Sequence, residues 1–173
     1  MVGKGLQNSG LVDVIGHGMV KIGKNPGFQA FSLLLLVSIA SAFMNNVGAL
    51  VILMPVAINL SRKNGQSPSA ILMPLSFGSL LGGMMTMTGT PPNIIIGTFR
   101  TEAAGLSVSA DPFLMAIAVG TSCAFLTPIG HQSNTIVMGP GGYKFIDYLK
   151  MGIPLSLIIV LISVPMILLV WPL

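Results

Sequence analysis

The sequence predicts an all-α integral membrane protein. Its parts are a re-entrant helical hairpin, two discontinuous helices forming an inverted repeat, and a C-terminal transmembrane helix. Three observations predict this. Charge is rare and clustered, the long uncharged stretches are interrupted by helix-breaking residues, and two of the interruptions share a pattern. The residues are 53% hydrophobic and 7% charged, whereas soluble domains carry roughly 25% charged residues. No Asp, Glu, Lys or Arg lies between Lys24 and Arg62, between Lys63 and Arg100, between Asp111 and Lys144, or after Lys150. A bilayer core needs about 20 apolar residues per spanning helix, so each stretch is long enough to cross. A large soluble core would need more solvated surface than these few charges supply. The net charge of +4 does not point to nucleic acid, because the bases are sparse and flank the uncharged stretches. That placement sets topology. The single Cys123 sits inside an apolar run and excludes a disulfide framework.

Residues 1–24 alternate apolar side chains with Asp13, Lys21 and Lys24, the pattern of an amphipathic helix lying at the interface. Residues 25–62 hold enough apolar sequence for one very long helix, but Met44-Asn45-Asn46-Val47-Gly48 breaks it near the middle. Bases flank both ends, so the expected form is a hairpin that returns to its own side with its tip inside the membrane. Irregular backbone at that depth is tolerated only where it is buried or lines a cavity. Residues 68–100 form a broken helix, because Thr88-Gly89-Thr90-Pro91-Pro92-Asn93 removes two consecutive backbone donors. Residues 111–142 follow the same plan around Thr127-Pro128-Ile129-Gly130-His131-Gln132-Ser133-Asn134. Residues 151–172 read as a plain span ending in Trp171, an interfacial residue type.

The two broken segments read as copies. Leu72-Met73, Gly78 and Gly89-x-x-x-Asn93 correspond to Leu114-Met115, Gly120 and Gly130-x-x-x-Asn134. Paired, interrupted hydrophobic segments at matching positions point to a secondary transporter's binding site. Lys4, Lys21, Lys24, Arg62, Lys63, Lys144 and Lys150 all fall on the cytoplasmic side of one multi-pass topology in the cell (inner) membrane, with the C-terminus outside. In that topology the broken helices are antiparallel, as an inverted repeat requires.

A broken helix presents carbonyls that attract cations and amides that attract anions at mid-membrane. Ser41, Asn45, Asn46, Asn93, Ser133 and Asn134 add neutral oxygens of the type that bind Na⁺. Asp13, Glu102, Asp111 and Asp147 all lie near segment ends, so no carboxylate is placed for a proton relay. Neutral oxygens without a buried acid favour sodium coupling and an anionic substrate. An isolated asparagine would serve equally as a hydrogen bond between helices. Cys123, the methionines and Gly82-Gly83 read most simply as packing positions.

At these residues the chain resembles the divalent anion:sodium symporter family, a citrate-transporter-like group. Ser41-Ala-Phe-Met-Asn45-Asn46-Val47 resembles the tip of the family's first re-entrant hairpin. Gly89-Thr90-Pro91-Pro92-Asn93 matches its Gly-Ser/Thr-Pro-Pro-Asn loop, and Thr127 to Asn134 resembles the corresponding loop of the second half. The resemblance implies sodium as the coupling ion, with no other cofactor. Its ligands would be Ser41, Asn45, Asn46 and Gly89 at a first site and the Gly130 carbonyl at a second. It implies substrate contacts from Asn46, Val47, Thr90, Pro91, His131 and Gln132. Val47 stands where the family has threonine, and His131-Gln132-Ser133 stands for Thr-Pro-Pro. Sulfate or another small oxyanion therefore fits at least as well as a di- or tricarboxylate.

Family members are several times longer, so the resemblance implies a shortened form with a deletion junction near 104–106 and no second hairpin. A homo-oligomer is one way to supply that hairpin. The partners expected are a small anion and the lipid bilayer. Secondary active transport by alternating access is the first functional expectation. A non-transporting, carrier-derived fragment is the second, and an arsenite-type efflux carrier the third. No nucleophile–base pair or metal-ligand cluster supports an enzyme.

Overall fold

The computed structural model describes residues 25–86, 89–103 and 111–171, and every element among them is helical. In chain order they are α1 (Pro26–Phe43), α2 (Asn46–Lys63), α3 (Ser69–Met84), α4 (Pro91–Ala103), α5 (Asp111–Ser122), α6 (Gln132–Gly141) and α7 (Phe145–Val170). The interfacial helix expected over 1–24 and the junction expected near 104–106 lie outside the described residues.

Local chemistry sets the helix ends. Asn25 caps α1, accepting from the Gly27 amide at 3.0 Å, and Pro26 occupies the position where a missing N–H is harmless. Only Met44 and Asn45 separate α1 from α2, and Asn45 caps α2 by accepting from the Val47 amide at 2.9 Å. The two helices run antiparallel. Asn64, just past α2, donates to Gln29 in the first turn of α1 at 2.9 Å, closing the open end of the pair. α7 starts at Phe145, earlier than the apolar run at Met151 suggests. Asp147 accepts from the Lys144 amide at 2.8 Å, a capping box that extends the helix into a polar turn.

α3 is the centre of the bundle and packs on α1, α2, α5 and α6. Leu72 and Leu75 join Leu33, Val37, Leu50, Leu53, Val56 and Val137 in one buried cluster. Met73, Phe77 and Leu80 join Phe125 and Tyr148 in a second, where Phe77 and Phe125 meet edge to face at 5.1 Å. Toward α1 the contact is backbone-close. Ser38 Oγ donates to the Gly78 carbonyl at 2.9 Å, and a Cβ at Gly82 would lie 2.7 Å from the Ser38 Cα. Gly78-x-x-x-Gly82 is a small-residue seam of the kind that lets membrane helices approach without bulky side chains.

Pro74 lies inside α3 and weakens its first turns. Tyr143 repairs them from the loop before α7. Its hydroxyl accepts from the Met73 amide at 2.7 Å and donates to the Ser69 carbonyl, standing in the helical bond that these two groups would otherwise make. Tyr143→Phe leaves both groups without that partner. It should destabilise the chain by about 1–3 kcal/mol, seen as a lower unfolding midpoint in detergent.

Two described helices, α1 and α7, are long and apolar enough to cross a membrane. At 26 residues α7 is about 39 Å long, more than the hydrocarbon core requires. Tyr148, Gly152 and Ile167 are its buried residues, while Leu157, Leu161, Ile162 and Leu169 are exposed. That surface suits lipid, not water.

Candidate anion cavity and oxygen cluster

The helix breaks converge. A cavity of about 350 Å³ is lined by Asn45, Asn46 and Val47 at the start of α2, Gly89 to Pro92 before and at the start of α4, and Ile129 to Gln132 at the start of α6. Leu80, Thr121 and Ser122 complete the wall. Every residue that the sequence marks for substrate (Asn46, Val47, Thr90, Pro91, His131 and Gln132) is on this surface. So are Asn45, Gly89 and Gly130. Ser41 lies just behind, fully buried, its hydroxyl against the Asn46 side chain.

None of the described residues lining the cavity is charged. Its electrostatics come from the backbone. α2, α4 and α6 all begin at the cavity, and each brings the partial positive charge of a helix N-terminus. Three such ends favour an anion without the desolvation penalty of a buried Lys or Arg.

Beside the cavity is a cluster of oxygens around Asn46. Ser41 Oγ donates to the Ser79 carbonyl at 2.6 Å. With its amide nitrogen turned inward, Asn46 donates to Ser41 Oγ at 2.6 Å, the Ser79 carbonyl at 3.2 Å and the Gly89 carbonyl at 3.0 Å. Turned over, its Oδ1 faces the same three oxygens and competes with the Ser79 carbonyl for the single Ser41 hydroxyl proton, at 2.6 Å. Converging acceptors of this kind are satisfied by an N–H donor or by a cation. In the second orientation they form a neutral, all-oxygen set suited to a hard monovalent ion.

Gly83 makes room for this cluster. A Cβ there would meet the Asn46 amide, with its Cγ at 2.8 Å. Gly89 is needed for a similar reason, since its Cβ would lie 2.7 Å from the Gly83 Cα. Close approach is what demands glycine at Gly89; among the described residues the positive-φ glycines are Gly65 and Gly142.

The two breaks carry the same hydrogen bonds. Asn93 Nδ2 donates ten residues back to the Gly83 carbonyl at 3.3 Å and seven back to Thr86 at 2.8 Å. Asn134 Nδ2 donates ten residues back to Ala124 at 2.7 Å and seven back to Thr127 at 3.1 Å. The amides of Gly89 and Gly130 each donate three residues back, to Thr86 Oγ1 at 3.2 Å and Thr127 Oγ1 at 2.9 Å.

Several oxygens that the sequence offers to sodium therefore have other work. The Asn45 side-chain Oδ1 accepts the α2 cap bond from the Val47 amide. Asn134 Oδ1 accepts from Ser76 Oγ at 2.8 Å, and its backbone carbonyl accepts from the Tyr148 hydroxyl at 2.7 Å. His131 caps α6, accepting from the Ser133 amide at 3.1 Å. The sequence reading missed the Ser79 carbonyl, the space above Gly83, and Thr121 and Ser122 on the cavity wall. Only the small-residue stripe Gly78-Ser79 and Gly82-Gly83 hints at the first two.

Comparison with known proteins places the chain among transporters. Residues 1–106 match the family described as citrate transporter. The uncharacterized transporter YfbS of Escherichia coli is 37% identical over 99 residues, 57% of this chain and 16% of that protein. Sodium/sulfate cotransporter 1 of Chlamydomonas reinhardtii is 37% identical over 60 residues, 35% of this chain and 7% of that protein. The uncharacterized transporter MT2759 of Mycobacterium tuberculosis is 29% identical over 126 residues, 72% of this chain and 28% of that protein. The chain thus spans only a small part of the length of the relatives it matches. These are names of transporters, not of enzymes. No solved structure matches the chain.

Proposed function

The chain belongs to the citrate transporter family, and on that premise we propose that it forms a sodium-coupled binding site for a small oxyanion, worked by alternating access. The observation that carries this reading is the adjacency of two unlike sites. An uncharged cavity faced by three helix N-termini suits an anion, and the oxygen cluster at Asn46 suits Na⁺. Ser41 Oγ, Asn46 Oδ1 and the Gly89 and Ser79 carbonyls are the proposed ion ligands. The Gly130 carbonyl is the proposed contribution to a second ion site. Thr90, His131 and Gln132 are the proposed substrate contacts, with Pro91 and Val47 shaping the wall.

Under this reading α1 and α2 form a re-entrant hairpin. The breaks between α3 and α4 and between α5 and α6 are the two halves of an inverted repeat in a multi-pass protein with its C-terminus outside. Sulfate is the preferred candidate. Val47 offers no hydroxyl for a long carboxylate, and one relative is named a sodium/sulfate cotransporter. A second reading, a carrier-derived piece that acts only with further segments or copies, is favoured by the 16% coverage of the E. coli relative.

Proteoliposome uptake of sulfate, citrate, succinate and arsenite, each with a sodium or a potassium gradient, separates the readings. Sodium-driven sulfate uptake is expected. Equal fluxes in sodium and potassium for every anion would overturn the proposal.

A further inference from the structure

We propose that Asn93 and Asn134 are positioning residues. Each amide ties the carbonyl end of one half-helix to the start of the next, making each broken helix a rigid elbow whose glycine lines the cavity. The chemistry begins with the carbonyls. The last turn of a helix leaves orphan C=O groups, and in a break within lipid no water satisfies them. At the end of α3 the Gly83 and Met84 carbonyls accept from Asn93 Nδ2 at 3.3 and 3.4 Å, and just beyond the helix the Thr86 carbonyl does so at 2.8 Å. In the loop after α5 the Ala124 and Thr127 carbonyls accept from Asn134 Nδ2, at 2.7 and 3.1 Å. Both asparagines sit in the first turn of the following helix, so one primary amide bridges each gap.

The threonines complete the elbow. Thr86 and Thr127 each receive the amide of the glycine three residues on, at 3.2 and 2.9 Å. Thr86 also donates to the Ala42 carbonyl, joining the first elbow to the last turn of α1. The unit is therefore Thr-x-x-Gly-x-x-x-Asn, present twice with the same bonds. Its repetition with different residues around it argues against chance contact. In the first elbow Pro91 and Pro92 have no N–H to offer the α3 carbonyls, and the Asn93 side-chain amide donates to them instead. This inference does not rest on sodium or on the identity of the anion.

Cys123 supplies a native probe, because it adjoins the Ala124 carbonyl that Asn134 holds and is half-buried. Alkylation of the full chain in detergent by N-ethylmaleimide should be slow in wild type. Asn134→Leu keeps the side-chain size and loses the amide. It should speed alkylation by about tenfold, the change in local opening expected for a lost buried hydrogen bond. Asn93→Leu, in the other elbow, should leave the Cys123 rate unchanged. Thr127→Val should raise it less, and Thr127→Ser should restore the wild-type rate. The valine and serine variants decide the matter if Asn134→Leu does not fold. An unchanged rate in both Asn134→Leu and Thr127→Val, or an equal rise in Asn93→Leu, would overturn the proposal.

Discussion

Gly82→Ala is expected to destabilise the chain by about 3 kcal/mol, the upper end for overpacking, and to lower its unfolding midpoint in detergent accordingly. The reason is what the new methyl meets. Its position lies 2.7 Å from both the Cα and the carbonyl carbon of Ser38. A clash with a side-chain tip is relieved by a rotamer change, but backbone cannot step aside. α1 and α3 would have to separate, breaking the Ser38–Gly78 bond and opening the core around Leu33, Val37 and Leu75. Gly120→Ala is the control. Nothing lies within 4 Å of its Cβ, so the same substitution in a helix should be neutral or stabilise by up to about 1 kcal/mol. Equal effects at the two glycines would show that the α1–α3 seam is not close-packed.

Gly83→Ala, one residue on, should separate function from stability. Here the methyl meets the end of the Asn46 side chain, with Cγ at 2.8 Å and Nδ2 at 2.9 Å. That side chain swings away at modest cost, so the fold should survive. The oxygen cluster should not, because the Asn46 side chain that faces Ser41 Oγ and the Ser79 and Gly89 carbonyls is displaced from it. Each lost interaction with a charged group is worth about 1.5–3 kcal/mol, so sodium affinity should fall at least about tenfold. The midpoint of sodium-dependent thermal stabilisation reads this directly. A variant that melts like wild type and keeps its sodium midpoint would remove Asn46 from the ion site.

How much of this was legible in the sequence depends on the kind of atom involved. Breaks are written in side chains: Asn45-Asn46, Pro91-Pro92 and Pro128 interrupt uncharged stretches, and Asn45, Asn46, Pro91 and Pro92 meet Ile129 to Gln132 at one cavity. The all-helical class was readable from the uncharged stretches, whereas the start of α7 at Phe145, set by the Lys144–Asp147 capping box, was not. Carbonyls and empty space leave no such mark. The Ser79 oxygen, the vacancy above Gly83 and the Tyr143 hydroxyl inside the α3 ladder depend on which helix lies opposite. Asn93 and Asn134 look like ion ligands in the sequence because they are amides in breaks. Their geometry makes them donors to carbonyls.

Sodium titration of the wild-type chain and of Asn46→Ala, read by thermal unfolding in detergent at constant ionic strength against potassium, tests the central claim most directly. Ligand binding to the folded state raises the unfolding midpoint with concentration. The account predicts a sodium-specific rise in wild type that Asn46→Ala abolishes. A wild-type midpoint that is the same in sodium and potassium, or an Asn46→Ala variant that keeps the full sodium response, would contradict it.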